Sequence, residues 1–187
     1  LSLGRGNILP AIEWFDRALT NSLSVDHVCI TFDDALKSQI DFALPVLKKH
    51  GLTAFWFIYS SVFQGAGSNF EVYRHFYNNY FQSFDHFFEE FFGYVQSSEG
   101  PSNVAAAKRV FNKTDYLKEY AFYSDYEREY RFFRDRVLGR EKYGPLMERM
   151  LADKGLTRQE LSHGLWMNND DLLDLFQDRH IVGLHSY

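Results

Sequence analysis

The chain has 187 residues, of which 45% are hydrophobic and 24% charged, a size and balance that allow a compact core and offer no apolar run long enough to span a membrane. Its net charge of −5 comes with 20 basic residues scattered along the sequence, which argues against a nucleic-acid surface, because phosphate binding gathers Lys and Arg on one face. A single cysteine, Cys29, excludes an internal disulfide.

Residues 8–23 read as an amphipathic helix with Ile8, Ile12, Phe15 and Leu19 near one face. Residues 28–32, Val-Cys-Ile-Thr-Phe, form a short β-rich run that reads as a buried strand, with Asp33 and Asp34 directly after it. A helix follows, with Pro45 tolerable in its first turn, Leu44, Val46 and Leu47 as core candidates, and Gly51 to stop it. Residues 53–58 read as a second buried strand, so that strand, helix and strand imply a parallel pair.

After Phe63 the pattern changes. A loop over residues 64–68 leads to Ser68 and Glu71, spaced as a capping box that opens a long helix. Tyr73, Phe76, Tyr77, Tyr80, Phe84, Phe87, Phe88, Phe91 and Val95 recur at helical spacing, most simply as one packed face, and burial there would absorb much of the 18% aromatic content. Further helices are expected over 103–111, 114–122 and 125–138, the last opened by Ser124 with Glu127 and closed by Gly139. Residues 145–154 read as a short helix, and Thr157 with Glu160 opens another. The end returns to alternating grammar: a helix over 170–177 capped by Asn169, with Leu172, Leu173 and Phe176 inward, then a third strand over 180–184 followed by His185.

Two strand ends therefore carry groups able to hold a metal: Asp33 and Asp34 on the first, His185 on the third. In parallel α/β folds, function gathers at the carboxyl ends of strands. A carboxylate with imidazole suits Zn²⁺ or a similar cation, and a second carboxylate off the metal is placed to deprotonate water. Taken alone, an Asp-Asp pair after a strand is more often turn and cap chemistry, and a lone histidine is more often structural.

Thr31-Phe32-Asp33-Asp34-Ala35 resembles the Thr-Phe-Asp-Asp-Gly motif of the polysaccharide deacetylase (NodB homology) family. Residues 43–57 are similar to that family's following helix and second strand, and Ile181-Val182-Gly183-Leu184-His185-Ser186 resembles the approach to its second motif, His-Ser/Thr-x-x-His. The resemblance covers roughly residues 25–61 and 168–187. It implies an α/β fold: a partial, distorted (β/α) barrel of the polysaccharide deacetylase type carrying an α-helical insert. Residues 1–62 would be its first part, 63–167 the insert, almost wholly helical and packed on the barrel mouth, and 168–187 the return. It implies Asp33 as general base, Asp34 and His185 as ligands of a divalent metal such as Zn²⁺, and hydrolysis of acetyl groups, N-acetyl first, from a bacterial envelope or capsule glycan.

Two departures stand out. Ala35 replaces the family's usual Gly, which costs about 1 kcal/mol or more where the backbone needs a positive φ. The family's second His would fall at the second position past Tyr187, and its later acid and base-orienting motifs are not identifiable. The expectation is thus a piece cut at both ends: it starts at Leu1 rather than Met, with no signal peptide visible and the bacterial compartment, cytoplasm or periplasm, left open. Two rivals remain. A Mg²⁺ phosphotransfer domain explains paired acids but not His185-Ser186. A non-catalytic relic barrel would act as a binding module through its insert.

Overall fold

The structure is a computed structural model describing residues 4–65, 67–112 and 114–186. Ala66, in the expected loop, and Tyr187, at the end of the expected second motif, lie outside the described residues. The chain divides into two compact units, one comprising Leu1–Ser68 with Ser162–Tyr187 and the other Asn69–Leu161.

The first unit holds a parallel sheet in the order β1-β2-β3, with β1 at Thr31–Asp33, β2 at Phe55–Tyr59 and β3 at Ile181–Ser186. Thr31 pairs with Phe55 and Phe55 with Ile181, so the three strands start level. One face packs on a core of Ala35, Leu44, Leu47, Leu52, Ala54, Trp56, Ile58, Met167 and Leu175, with Phe32 stacked on Trp56 at 4.3 Å between ring centroids. This face is covered by α2 (Leu44–Lys49) and α9 (Asn169–Gln177). A π-helical turn at Gln39–Ala43 leads without a break into α2, and Pro45 sits at the second position of α2, next to that wider turn. Leu44 and Leu47, three apart, share the buried face, whereas Val46 turns outward at 55% exposure. On α9, Leu175 and Leu172 face the core, so Leu173 and Phe176, expected inside, point to solvent. The cap of α9 is Asn168, in a full capping box with Asp171.

The opposite sheet face carries Phe55 and Phe57, stacked at 5.9 Å. The first helix, α1 (Ala11–Leu19), meets it through Trp14, edge-on to Phe55 at 5.8 Å. The Ile12, Phe15 and Leu19 stripe of α1 is exposed.

The expected partial (β/α) barrel does not form. The chain is 62% helical, and among the described residues its one sheet has three strands. Among the described residues the sheet is open, with β1 and β3 as its two edges rather than paired to close it.

The second unit is helical: α3 (Asn69–Tyr80), α4 (Phe84–Glu99), α5 (Pro101–Val110), α6 (Asp125–Phe132), a π-helical turn at Phe133–Leu138, α7 (Gly139–Asp153) and α8 (Arg158–Ser162), which closes it. Its edges, Asn69 and Leu161, lie inside the expected insert of 63–167. The single long aromatic helix expected from residue 68 is two helices, because Ser83 accepts a hydrogen bond from the His86 N–H and starts α4 afresh. Tyr73, Phe76, Phe87 and Phe91 are buried, as are Tyr130, Phe133 and Tyr143 across from them. Buried phenols need partners: Tyr130 and Tyr143 share a hydrogen bond of 2.6 Å, and Tyr73 donates to Glu148 at 2.7 Å. Burial holds the Tyr130 and Tyr143 hydroxyls well above their usual pKa. The Ser124–Glu127 capping box is fully made. Residues 114–122, expected to be helical, form turns instead. There the Arg128 guanidinium gathers the carbonyls of Tyr116, Leu117, Tyr120 and Tyr123 at 2.9–3.2 Å, giving the backbone partners that a helix would otherwise supply.

Candidate functional site

All three strands run out at one rim of the sheet, where a parallel arrangement concentrates functional groups. Asp33 is the last residue of β1 and is exposed. Asp34 follows, with its N–H bonded to the Phe57 carbonyl at 3.0 Å. Beyond that bond the backbone turns sharply: Asp34 has φ 77° and Ala35 φ 57°, the left-handed region that an L-residue enters at a cost of about 1–2 kcal/mol.

What holds this turn is a segment far along the chain. Met167 N–H donates to the Ala35 carbonyl at 2.8 Å and Lys37 N–H to the Leu165 carbonyl at 2.9 Å, placing Leu36 opposite Trp166 in an antiparallel bridge. The Lys37 ammonium reaches Asp171 at 2.6 Å, and the second Asp171 oxygen accepts from the Asn168 N–H. Gln39 adds a side-chain amide bond of 2.7 Å to the Asp33 carbonyl. Trp166 in turn lies over Gly67, where a Cβ would stand 2.6 Å from the indole nitrogen. Most of these supports leave no sign in the sequence, because they link residues with no local pattern between them. Asp171 alone carried a signal, as the acid three residues after Asn168.

The third candidate arrives on β3. Ile58 pairs with Leu184 but Tyr59 pairs with Ser186, so His185 is the extra residue of a β-bulge, a feature that re-aims side chains. β1 and β3 are two strand spacings apart, about 9.5 Å, yet the His185 Nδ1 lies 3.1 Å from Asp34 Oδ1. The left-handed turn on one side and the bulge on the other carry the two groups across the end of β2. Both side chains remain accessible, at 44% and 38% exposure.

A carboxylate oxygen and an imidazole nitrogen are the donor types that bind Zn²⁺, and two such donors on one tetrahedral ion stand about 3.3 Å apart. The Asp34–His185 spacing thus fits a shared cation as well as a direct hydrogen bond. Among the described residues no third His, Cys, Asp or Glu joins them in a cluster able to hold a metal.

His180, given no role by the sequence, is structural. It is buried at 4% exposure, and its Nδ1 accepts from both the Ala54 N–H and the Trp56 indole N–H, each at 3.0 Å. Burial pushes its pKa down, so the ring stays neutral with its proton on Nε2. His180 leads straight into β3 and fixes the start of the strand that presents His185.

Comparison with known protein families, with curated proteins and with solved structures finds no match to this chain. Among the described residues, no helix is long and apolar enough to cross a membrane.

Proposed function

We propose that this chain carries part of a hydrolytic site of the polysaccharide deacetylase kind, acting on acetyl groups, N-acetyl first, of a glycan. The contact between Asp34 and His185, 151 residues apart and meeting at the carboxyl rim of a parallel sheet, is the observation that supports it. Asp34 and His185 would hold a divalent cation such as Zn²⁺. When bound, such an ion polarises the acyl carbonyl and acidifies water. Asp33, one residue before Asp34 and exposed, is the group to take the proton from water as it adds to the carbonyl carbon. The C–N bond then breaks, giving acetate and a free amine. The acid that protonates the departing nitrogen is not identifiable among the described residues.

The test is acetate release from an acetylated glycan by the full-length protein. Asp33→Asn keeps shape and hydrogen bonding but removes the base, and should lower kcat by about 10²–10⁴-fold, the usual share of general-base catalysis. Unchanged release in this variant removes the catalytic assignment. It would favour the rival reading of a binding module acting through its helical unit.

A further inference from the structure

A cavity of about 370 Å³ opens on the sheet face away from the core, lined by Trp14, His27, Val28, Cys29, Thr31, Phe55 and Phe57. Its volume lies in the range of small-molecule sites. Its connection to the candidate site follows from strand geometry. Side chains alternate along β1, so Asp33 stands on the same face as Thr31, and Asp33 is in register with Phe57. Phe57 therefore lies at once on the wall of the cavity and level with the proposed base. Its ring extends over Gly183, where an added Cβ would be 3.1 Å from the ring. The missing side chain at Gly183 is what leaves Phe57 room to lie there.

The lining also sets the chemistry of the occupant. His27 is committed to the Ser24 N–H through Nδ1 and stands 3.4 Å from an Arg17 nitrogen through Nε2. The Cys29 thiol points to the Ile30 and Thr53 carbonyls, and burial pushes its pKa up, keeping it protonated. Trp14, Val28, Phe55 and Phe57 make the lining mainly apolar. Among the described residues no carboxylate, lysine or arginine lines it, so the surface suits an uncharged aliphatic group.

We infer that this cavity receives the acyl chain of the substrate, with Phe57 as the residue the chain packs against as it leaves the carbonyl. The inference rests on the deacylase reading and extends it. The carbonyl would lie at the rim by Asp33 and the alkyl tail would run down past Phe57. A space of about 370 Å³ exceeds what an acetyl methyl fills, so chains longer than acetyl should fit.

The experiment is a titration of the whole chain with acetamide, butyramide and hexanamide, neutral mimics of an N-acyl group. It is followed by NMR at the Phe57 ring and the Trp14 indole N–H. The expected result is shifts at both residues, with affinity rising about four-fold per added methylene. Thr31→Phe, which puts a ring deeper along the cavity than Phe57, should weaken hexanamide more than ten-fold relative to acetamide. Shifts elsewhere, or affinity indifferent to chain length in the unaltered protein, overturn the inference whether or not the variant folds. Sedimentation showing a dimer that Phe57→Ser abolishes and hexanamide leaves intact would assign the face to a second copy and overturn it too. Chain-length-dependent binding in a full-length protein that releases no acyl group upholds the cavity and retires only the deacylase reading.

Discussion

Replacing His180 with Phe keeps ring volume in the core but removes the acceptor that two buried donors share. The Ala54 N–H and the Trp56 indole N–H, each 3.0 Å from Nδ1, would lose their common partner. An unsatisfied buried donor costs about 1–3 kcal/mol, so the substitution should remove about 2–6 kcal/mol. The same geometry dictates a pH dependence. The folded state holds the ring neutral below its ordinary pKa of 6.5, because burial disfavours the charged form, and a proton on Nδ1 would also displace both bonds. The unfolded chain titrates normally, so it binds more protons as pH falls through 6.5. Stability from this group is complete above that value and declines below it, by up to about 1.4 kcal/mol per pH unit, until the folded ring itself titrates. Urea unfolding at about pH 8 and about pH 5 measures both effects. The unaltered protein should lose stability between the two, and the His180→Phe variant should lose less over the same range. Equal slopes in the two proteins, or a Phe variant within about 1 kcal/mol of the parent at pH 8, would refute the assignment of Nδ1 as a buried shared acceptor.

Two more outcomes follow from close packing. Gly67→Ala drives a methyl group to 2.6 Å from the Trp166 indole nitrogen; the clash should cost about 1–3 kcal/mol and shift Trp fluorescence, and an unaltered spectrum and midpoint would show that the indole does not lie on Gly67. Tyr130→Phe strands the buried Tyr143 hydroxyl, now paired at 2.6 Å; unfolding should show a loss of about 1–3 kcal/mol, partly recovered when Tyr143→Phe is added, and no recovery in the double variant argues against the pair.

Local signals carried most of what was legible. The capping boxes at Ser124–Glu127 and Thr157–Glu160 are present as spaced, because both partners lie within one turn. The aromatic stripe predicts a helical core correctly in period but not in continuity, because Ser83 accepts from the His86 N–H and starts a new helix. The turn region 114–122 failed for the opposite reason. Its composition permits a helix, but Leu117 turns to φ 54° and Arg128, from the next helix, gathers the carbonyls around it. The barrel follows from motif likeness rather than from strand-forming segments, of which the described residues have three. Asp34 and His185 were suggested by position at strand ends, but what brings them within 3.1 Å is a bulge and a pair of left-handed residues that no local pattern announces.

The left-handed turn is also where sequence and structure most plainly disagree, and the disagreement has a physical resolution. Ala35 at φ 57° stands where glycine would be unstrained, and strain of about 1–2 kcal/mol persists only if something offsets it. Here the methyl group does part of this: Ala35 is 2% exposed and belongs to the core cluster with Leu47, Trp56 and Met167. A buried methyl is worth about 0.8 kcal/mol. The lower chain entropy of Ala than Gly in the unfolded state adds about 0.4–1 kcal/mol. The two together nearly balance the strain, so Ala35→Gly should leave stability within about 1 kcal/mol of the parent. The Met167 and Lys37 backbone bonds, made equally by either residue, keep the turn closed. Ala35→Val tests the same reasoning from the other side. A β-branched residue at this φ is a true outlier in a site with no spare volume, so Val should cost more than about 2 kcal/mol. A Val variant as stable as the parent would mean that the backbone at Asp34 and Ala35 is not held in the left-handed region. Asp34 would then lose the geometry that carries it to His185.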